Sequence, residues 1–350
     1  MFKSCCRLAL NVAFASLALG TLTLNGDEAE RNLPFNQGNL LLSGELLYLK
    51  PGLDQSGYAI KSDLNAVGDE VFPNGKRYSN NMQYKPGFRV EALYQLCEAQ
   101  SALDARFTYF DTGYSSSVHG NYMFDTVGSP GDGAQIPEDT TYDGKAKVRD
   151  HFKYYSVDAT FNRQILKGCS DILNLLIGLE SSNIQYTRHF KSLGTFGTAA
   201  APVQNTLHSR SRFWGIGPVV GLGYLYHLTA DDCCWGVFGV KGNVRGALLC
   251  GRSHANFHFH STRTVGTEGV NLKNRPTWKV IPTLDAKLGA TYQRCFCGYN
   301  TFIELGYEWI WIHNGINNIT GYDVAFAGDS MDVYNDFGLH GPYLKVNFVF

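Results

Sequence analysis

Apolar and polar residues alternate along long segments of this chain, and this pattern constrains the fold more than any other feature. Alternation with a period of two predicts a β-strand that has one apolar face and one polar face. In the last such segment, Leu344 and Val346 fall on one face and Lys345 on the other. The sequence therefore predicts an all-β fold with strands at 39–50, 82–96, about 103–109, 152–163, 172–188, 213–228, 235–249, 277–293, about 303–311 and 341–350.

The connections between these segments alternate strictly between short and long. Four are tight turns, and the five long ones are polar segments at 51–81, 111–149, 189–210, 251–276 and 313–340. In outer-membrane barrels the short turns lie on the periplasmic side and the long loops lie outside the cell. A soluble meander has no reason to place every long connection at one end. The pattern predicts a transmembrane up-and-down antiparallel β-barrel of about ten strands, with short periplasmic turns and long extracellular loops.

The composition favours a membrane barrel as well. Aromatic residues make up 13% of the chain and charged residues only 17%, whereas about 25% of a typical soluble domain is charged. The formal net charge of −1 gives no indication of a nucleic-acid partner. The apolar faces carry aromatic residues near strand ends, as membrane-interface girdles do: Tyr48, Tyr84, Tyr94, Tyr109, Tyr226, Trp278, Tyr292, Trp309 and Trp311.

The first residues have the pattern of a secretion signal. Lys3 and Arg7 precede an apolar run at 8–19, and small residues around 18–20 suit a cleavage site. We expect a signal peptide at 1–20, a periplasmic lead at 21–38 and a transmembrane barrel at 39–350. No later segment approaches the ~20 consecutive apolar residues of a membrane-spanning helix. The expected location is the bacterial outer membrane, which the chain would cross as a barrel.

Several strand segments resemble the major outer-membrane protein family of Legionella, which has relatives in environmental chlamydiae. The matching pieces are Gly-Glu-Leu-Leu-Tyr-Leu-Lys-Pro at 44–51, Phe-Arg-Val-Glu-Ala-Leu-Tyr at 88–94, Leu-Asp-Ala-Arg-Phe-Thr-Tyr-Phe-Asp at 103–111, and the closing strand that ends in Phe350. These are strand patterns and contain no catalytic signature. The resemblance implies a pore-forming or porin-like surface protein, and it supplies no catalytic residues to carry over.

The polar faces of the predicted strands point into the barrel and carry acids and bases in balance. An open diffusion channel is one interpretation of the interior, and the glycines that alternate along 213–228 favour it. A narrow lumen filled by salt bridges is the other, because barrels of about eight strands are just filled by side chains. The predicted pore-lining residues are Lys85, Arg89, Glu91, Asp104, Arg106, Asp158, Glu180, Lys241, Arg245, Asp285, Lys287, Glu304 and Glu308.

The predicted function is a porin-like channel for passive diffusion of small hydrophilic solutes or ions. Charge selectivity is expected to be weak, because the inward acids and bases cancel. The expected partners are outer-membrane lipid and these solutes. The alternative function is a non-conducting surface barrel whose long loops act as an adhesin.

Two groups of residues raise the question of other chemistry. His254, His258 and His260 have even spacing, so an extended segment would project them to one side, but no cysteine or carboxylate stands at ligand spacing beside them. A catalytic site at the outer rim would require side chains there to converge, and nothing in the sequence shows this for Asp150, His151, His189 and His313. We expect no metal site, no cofactor and no enzymatic activity.

The cysteines are concentrated at the short turns. Of nine cysteines, Cys5 and Cys6 lie in the predicted signal, and only Cys250 of the remaining seven lies at the outer end. An exported chain meets an oxidising compartment, so we predict disulfides at the periplasmic rim. Cys295 and Cys297 are close enough in sequence to pair, whereas isolated turn cysteines are predicted to reach other envelope proteins or a second copy. The candidates are Cys97, Cys169, Cys233, Cys234, Cys295 and Cys297.

Overall fold

The computed structural model describes residues 40–53, 57–62, 75–80, 82–96, 100–125, 142–168, 170–196, 201–229, 236–263, 266–296, 299–321 and 330–349. The predicted signal peptide, the periplasmic lead and Phe350 lie outside these ranges. Within them, no helix is long and apolar enough to span a membrane. The strands are β1 (Leu40–Leu53), β2 (Gly57–Ser62), β3 (Gly75–Ser79), β4 (Lys85–Gln95), β5 (Ser101–Asp125), β6 (Tyr142–Lys167), β7 (Asp171–Phe196), β8 (Ala201–His227), β9 (Val237–Arg263), β10 (Gly266–Lys273), β11 (Thr277–Phe296), β12 (Tyr299–Gly321) and β13 (Ser330–Val349).

Ten of these strands close into an antiparallel barrel, as the sequence predicted. Their order around the ring is β1, β4, β5, β6, β7, β8, β9, β11, β12 and β13, and β13 pairs with β1 to complete it. The β2–β3 hairpin continues the sheet at the outer end of β5, and β10 pairs with the outer end of β9. Each of the ten described ring strands is thereby paired on both sides, which is the condition for a sheet to cross lipid.

The outward face of the ring is a band of exposed apolar side chains. Leu46, Leu288 and Leu305 are 59%, 63% and 60% exposed. Soluble monomers rarely expose a large contiguous apolar surface, so lipid is the environment that stabilises this band. In the closing strand Leu344 faces outward and Lys345 is buried in the interior, as its alternation predicted.

The structure corrects the prediction that the long connections are mostly loops. β5 continues to Asp125, β7 to Phe196 and β9 to Arg263, and β6 and β8 begin at Tyr142 and Ala201. Parts of the first and fourth predicted loops form the β2–β3 hairpin and β10. We call the outer parts of β5 to β9, at 111–125, 142–153, 185–196, 201–212 and 250–263, the extracellular extension.

The strand extensions were missed because the polarity of the two faces reverses where the barrel leaves the lipid. Inside the membrane, apolar side chains face outward, but above it the outward face meets water. In β9, Ala255 and Phe257 are therefore buried in the interior, whereas His254 and His258 lie on the outward face. Apolar and polar residues still alternate in the extension, but the apolar residues now face inward and the polar residues face outward. A search for strands with an apolar outward face therefore misses these segments.

Candidate functional site in the barrel lumen

The inward faces bring most of the predicted pore-lining residues into one connected group in the middle of the lumen. We call this group the charged layer. Lys85, in contrast, is exposed at the beginning of β4. The residues of the charged layer that form ion pairs are Glu45, Arg89, Glu91, Asp104, Arg106, Asp158, Lys241, Arg245, Asp285, Lys287, Glu304, Glu308 and Lys345.

Arg89 is the centre of one half of the charged layer and is only 1% exposed. Its Nη1 lies 2.6 Å from Glu45 Oε1, its Nη2 lies 2.6 Å from Glu308 Oε1, and its Nε donates to Thr108 Oγ1 at 2.9 Å. Lys287 Nζ also donates to Glu45 Oε1, at 2.8 Å. Because β4 and β12 are not neighbours in the ring, the contact between Arg89 and Glu308 crosses the lumen.

The other half of the charged layer joins two arginines to three aspartates. Arg106 Nε lies 2.7 Å from Asp158 and its Nη1 lies 3.2 Å from Asp285. Arg245, on the opposite wall, reaches Asp158 at 3.1 Å and Asp104 at 3.4 Å. Asp158 thus accepts from both guanidinium groups. This sharing satisfies buried charges that would be costly if left alone.

Two lysines complete the layer on its periplasmic side. Lys345 Nζ lies 2.5 Å from Glu91, and Lys241 Nζ lies 3.0 Å from Glu304. Tyr343 donates its hydroxyl to Glu304 at 2.6 Å. The periplasmic edge of the charged layer is thus formed by side chains from β4, β9, β12 and β13.

Glu180 and the inward glycines border the charged layer without adding ion pairs to it. Glu180 accepts a hydrogen bond from Ser182 Oγ at 2.7 Å. Gly221 lies directly against Arg245, since a Cβ at this position would lie 2.9 Å from Arg245 Cγ. The inward glycines were expected to favour an open channel, but the space beside Gly221 is occupied by the Arg245 side chain.

Above the charged layer, toward the outside, the lumen is filled by apolar side chains. We call this set the apolar layer: Leu47, Leu49, Phe110, Phe152, Tyr154, Ile184, Tyr186, Phe213, Val219, Ala247, Leu249, Ile281, Ile310, Ile312, Ile316, Phe337 and Leu339. Tyr343 packs against this set from the charged layer. The rings of Phe152 and Phe337 stack with centroids 3.8 Å apart. An apolar layer across the lumen offers ions no replacement for their hydration shell.

A second polar contact lies above the apolar layer. Arg188 Nε and Nη2 bind the two carboxylate oxygens of Asp150 at 2.8 and 3.1 Å. Tyr186 and Asn80 also donate to this carboxylate, at 2.9 and 2.8 Å. A smaller apolar cluster then fills the extracellular extension: Tyr58, Ala59, Val118, Ala146, Val148, Phe190, Leu207, Ala255, Phe257 and Phe259.

The space left in the lumen is unequal on the two sides of the charged layer. A vestibule of about 280 Å³ opens at the periplasmic end, with polar lining residues such as Asn162, Asn174 and Asn243. A second cavity, lined by Arg106 and Glu180 among others, has a volume of only about 10 Å³, which is about the space of one water molecule. Of the two interiors that the sequence left open, the described structure has the filled one.

The four residues considered for an outer-rim catalytic site do not come together. Asp150 points inward and is held by Arg188, whereas His151 and His189 lie on the outward face. His313 lies on β12, in a different part of the ring, and its Nδ1 is 2.8 Å from Asp336. The geometry therefore assembles no catalytic group from this set.

The histidines of β9 do share one face, as their spacing predicted. His254, His258 and His260 occupy alternate positions on the outward side of a strand, although the sequence analysis placed them in a loop. Among the described residues, no cluster of histidine, cysteine and carboxylate side chains has the geometry to hold a metal ion.

The predicted rim cysteines lie almost entirely outside the described residues. Cys97, Cys169, Cys233, Cys234 and Cys297 are not described, and of Cys295 only the backbone is, at the end of β11. Cys250 in β9 is disulfide-bonded. Cys250 is not among the predicted rim cysteines, because it lies away from the short turns.

Comparison with known proteins gives the family. The model of the family described as Legionella pneumophila major outer membrane protein precursor matches residues 32–350. A search among curated proteins found no match.

Solved structures of other outer-membrane barrels are distant. The outer membrane protease OmpT from Escherichia coli is 13% identical, with a TM-score of 0.44, over 92% of this chain and 100% of that chain. The toluene transporter TodX from Pseudomonas putida is 7% identical, with a TM-score of 0.26, over 90% and 91% of the two chains. A FadL homologue from Pseudomonas aeruginosa is 8% identical, with a TM-score of 0.25, over 89% and 90%. At these TM-scores the likenesses carry no argument about function.

The fold and the family agree on where this protein resides. The family match covers nearly the whole chain, and the closed ring with its apolar outward band has the construction of an outer-membrane barrel. The chain belongs to the Legionella major outer membrane protein family and is a β-barrel protein of the bacterial outer membrane.

Proposed function

We propose that this protein is a porin-like channel that is closed in the described state and passes small ions or hydrophilic solutes when its lumen rearranges. The observation that carries the proposal is the polar vestibule, which leads from the periplasmic end directly to the charged layer. A solute that enters the vestibule meets both acids and bases. Passage is therefore expected to show weak charge selectivity.

The chemistry of the charged layer supports a role beyond filling space. Replacing buried ion pairs by well-packed apolar residues is often neutral or stabilising, so stability alone gives little reason to keep thirteen ionised side chains in a barrel interior. When an ion pair in the charged layer breaks, its carboxylate oxygens and its nitrogens can contact a passing ion. These contacts replace the water molecules of the ion's hydration shell. Lys241 and Arg245, which line the vestibule and pair with Glu304 and with Asp104 and Asp158, are the bases that an entering anion would contact first.

The apolar layer sets the limit on conductance. An ion that has crossed the charged layer still meets the stacked rings of Phe152 and Phe337 before it reaches the outside. Apolar constrictions gate pores by excluding water. The expected channel is therefore closed most of the time, with a small conductance when it opens.

A second function, a non-conducting surface barrel that acts as an adhesin, is favoured by the length of the strands. β5 to β9 have 25, 26, 26, 27 and 27 residues, whereas about 9 to 11 residues cross the hydrocarbon core. More than half of each strand thus lies outside the hydrocarbon core. In this account the extracellular extension binds another surface and the filled lumen serves only stability.

Planar-bilayer recording of the purified full-length protein separates the two functions. The channel account predicts brief openings, with a reversal potential near zero in a salt gradient because of the weak selectivity. A silent bilayer under voltages that open control porins, together with binding of protein-containing vesicles to host-cell surfaces, would favour the adhesin.

We also infer that the rim cysteines connect the barrel to other envelope proteins. Support comes from the sequence, since Cys97 and Cys169 each stand near a predicted short turn at the periplasmic side. Strands two positions apart are separated by about 10 Å, whereas a disulfide needs Cα atoms within roughly 7 Å. Single cysteines in neighbouring turns are therefore expected to pair with another molecule more readily than with each other.

A further inference from the structure

A basic depression lies on the outward face of the extracellular extension, away from the lumen. It has a volume of about 650 Å³ and spans β6 to β9, and the described residues that line it include no acid. Its lining residues are Lys147, Arg149, His151, Thr187, His189, Phe190, Lys191, Thr206, Leu207, His208 and His258. We call it the basic depression.

The strand register builds the depression from two adjacent rows. In the first row, Arg149, His189, His208 and His258 are consecutive partners across four strands. The rings of His189 and His208 are in contact, with centroids 4.2 Å apart. Partial burial lowers the pKa of His189 and of His208, so both rings are mostly neutral at pH 7 and the lasting positive charge comes from other side chains.

The second row places two like charges directly opposite each other. Lys147 on β6 pairs in register with Lys191 on β7, and both side chains are exposed. Like charges at opposed positions of an antiparallel pair destabilise the sheet. Among the described residues, no acid forms an ion pair with either lysine or with Arg149. At the margin of the depression, Asp111 pairs with His151 at 2.8 Å, and Asp150, whose side chain points into the lumen, is held by Arg188.

An anion placed between the two rows would remove this repulsion. Phosphate suits the site, because lysine ammonium and arginine guanidinium groups bind it through charge-assisted hydrogen bonds and neutral imidazoles and Thr206 supply further donors. The site is also wide enough for a headgroup, since its volume exceeds what a single phosphate fills.

The position of the basic depression indicates which kind of molecule carries the phosphate. On the same outward faces, the apolar band extends up to Trp214 on β8, which is 48% exposed, and His208 lies six positions further from the membrane along that strand. Six positions correspond to roughly 20 Å along a tilted strand, which reaches the phosphorylated sugars that extend outward from the outer leaflet, and basic pockets beside membrane-spanning segments bind lipid head groups. We propose that the basic depression binds the phosphate groups of an anionic outer-leaflet glycolipid.

The test uses the full-length protein in detergent micelles, titrated with a glycolipid that has a bisphosphorylated disaccharide headgroup and followed by native mass spectrometry. The variant is Lys147→Gln with Lys191→Gln. Its matched control is Lys50→Gln, since β1 lies on the wall of the ring opposite β8. Gel mobility before and after heating establishes that each variant is folded.

The proposal predicts that the double variant binds the glycolipid at least about tenfold more weakly than the wild type, whereas Lys50→Gln binds it unchanged. It also predicts that removing both phosphates from the glycolipid weakens wild-type binding by a similar factor. Equal binding by the double variant, or equal binding of the dephosphorylated lipid, would overturn it. Competition by inorganic phosphate at the same concentration as the glycolipid would show a free-anion site and overturn the assignment to lipid.

Discussion

Phe152 on β6 and Phe337 on β13 stack across the lumen, with ring centroids 3.8 Å apart and an interplanar angle of 19°. In the ring, β6 and β13 are separated by β5, β4 and β1, so this contact joins opposite parts of the wall. Both rings are buried, at 1% and 0% exposure. The upper lumen is therefore closed by side chains that meet in its middle.

The charged layer makes a prediction about stability. We expect Arg89→Met to lower the free energy of unfolding by about 3 to 5 kcal/mol, because Glu45 and Glu308 lose the guanidinium that neutralises both. Lys85→Met, on the same strand but at an exposed position, should change it by less than about 0.5 kcal/mol. Urea unfolding of the refolded barrels in micelles, followed by tryptophan fluorescence, measures the difference. Equal stability of the two variants would mean that Arg89 is not buried in the network.

The glycine beside Arg245 provides a second test of the filled interior. We expect Gly221→Ala to destabilise the barrel by about 1 to 3 kcal/mol, because the new Cβ would lie 2.8 Å from the Val244 carbonyl oxygen and 2.9 Å from Arg245 Cγ. Gly242→Ala is the matched control, since nothing lies within 4 Å of its added Cβ. The same unfolding measurement applies. An open lumen would make the two substitutions equally mild.

The rim cysteines predict intermolecular disulfides in the intact envelope. With free thiols alkylated before lysis, a non-reducing gel of wild-type cells should show a ladder that collapses with reductant. The double variant Cys97→Ser with Cys169→Ser should lose most of the ladder. A matched double variant, Cys295→Ser with Cys297→Ser, should retain it, because these two cysteines are close enough in sequence to pair with each other. A single monomeric band from alkylated wild-type envelopes would contradict the prediction of intermolecular disulfides.

The sequence predicted the barrel and its two faces well, because the apolar outward band leaves a periodic signal in every spanning strand. Leu344 and Lys345 lie on the faces that alternation assigned to them. The strand extensions were missed because the polarity of the faces reverses above the lipid, and Phe337 consequently stood inside a predicted loop.

The contacts within the lumen lay beyond sequence reasoning for a different reason. Arg89 and Glu308 are 219 positions apart, and only the order and stagger of ten strands bring them to one level. A shift of register by one residue would exchange the faces of a strand, so such a pairing depends on every intervening strand. The sequence supplied the list of inward charges but not the partners.

Single-channel recording of a variant with the apolar layer opened tests the central claim most directly. The variant is Phe152→Ala with Phe337→Ala, and the control is Phe88→Ala with Phe107→Ala, which removes two rings from the lipid-facing surface instead. If the apolar layer closes the lumen, the first variant should show long-lived openings. The control should show the same rare, small openings as the wild type. Unchanged conductance in the first variant, with the barrel still folded by its heat-modified gel mobility, would contradict the account.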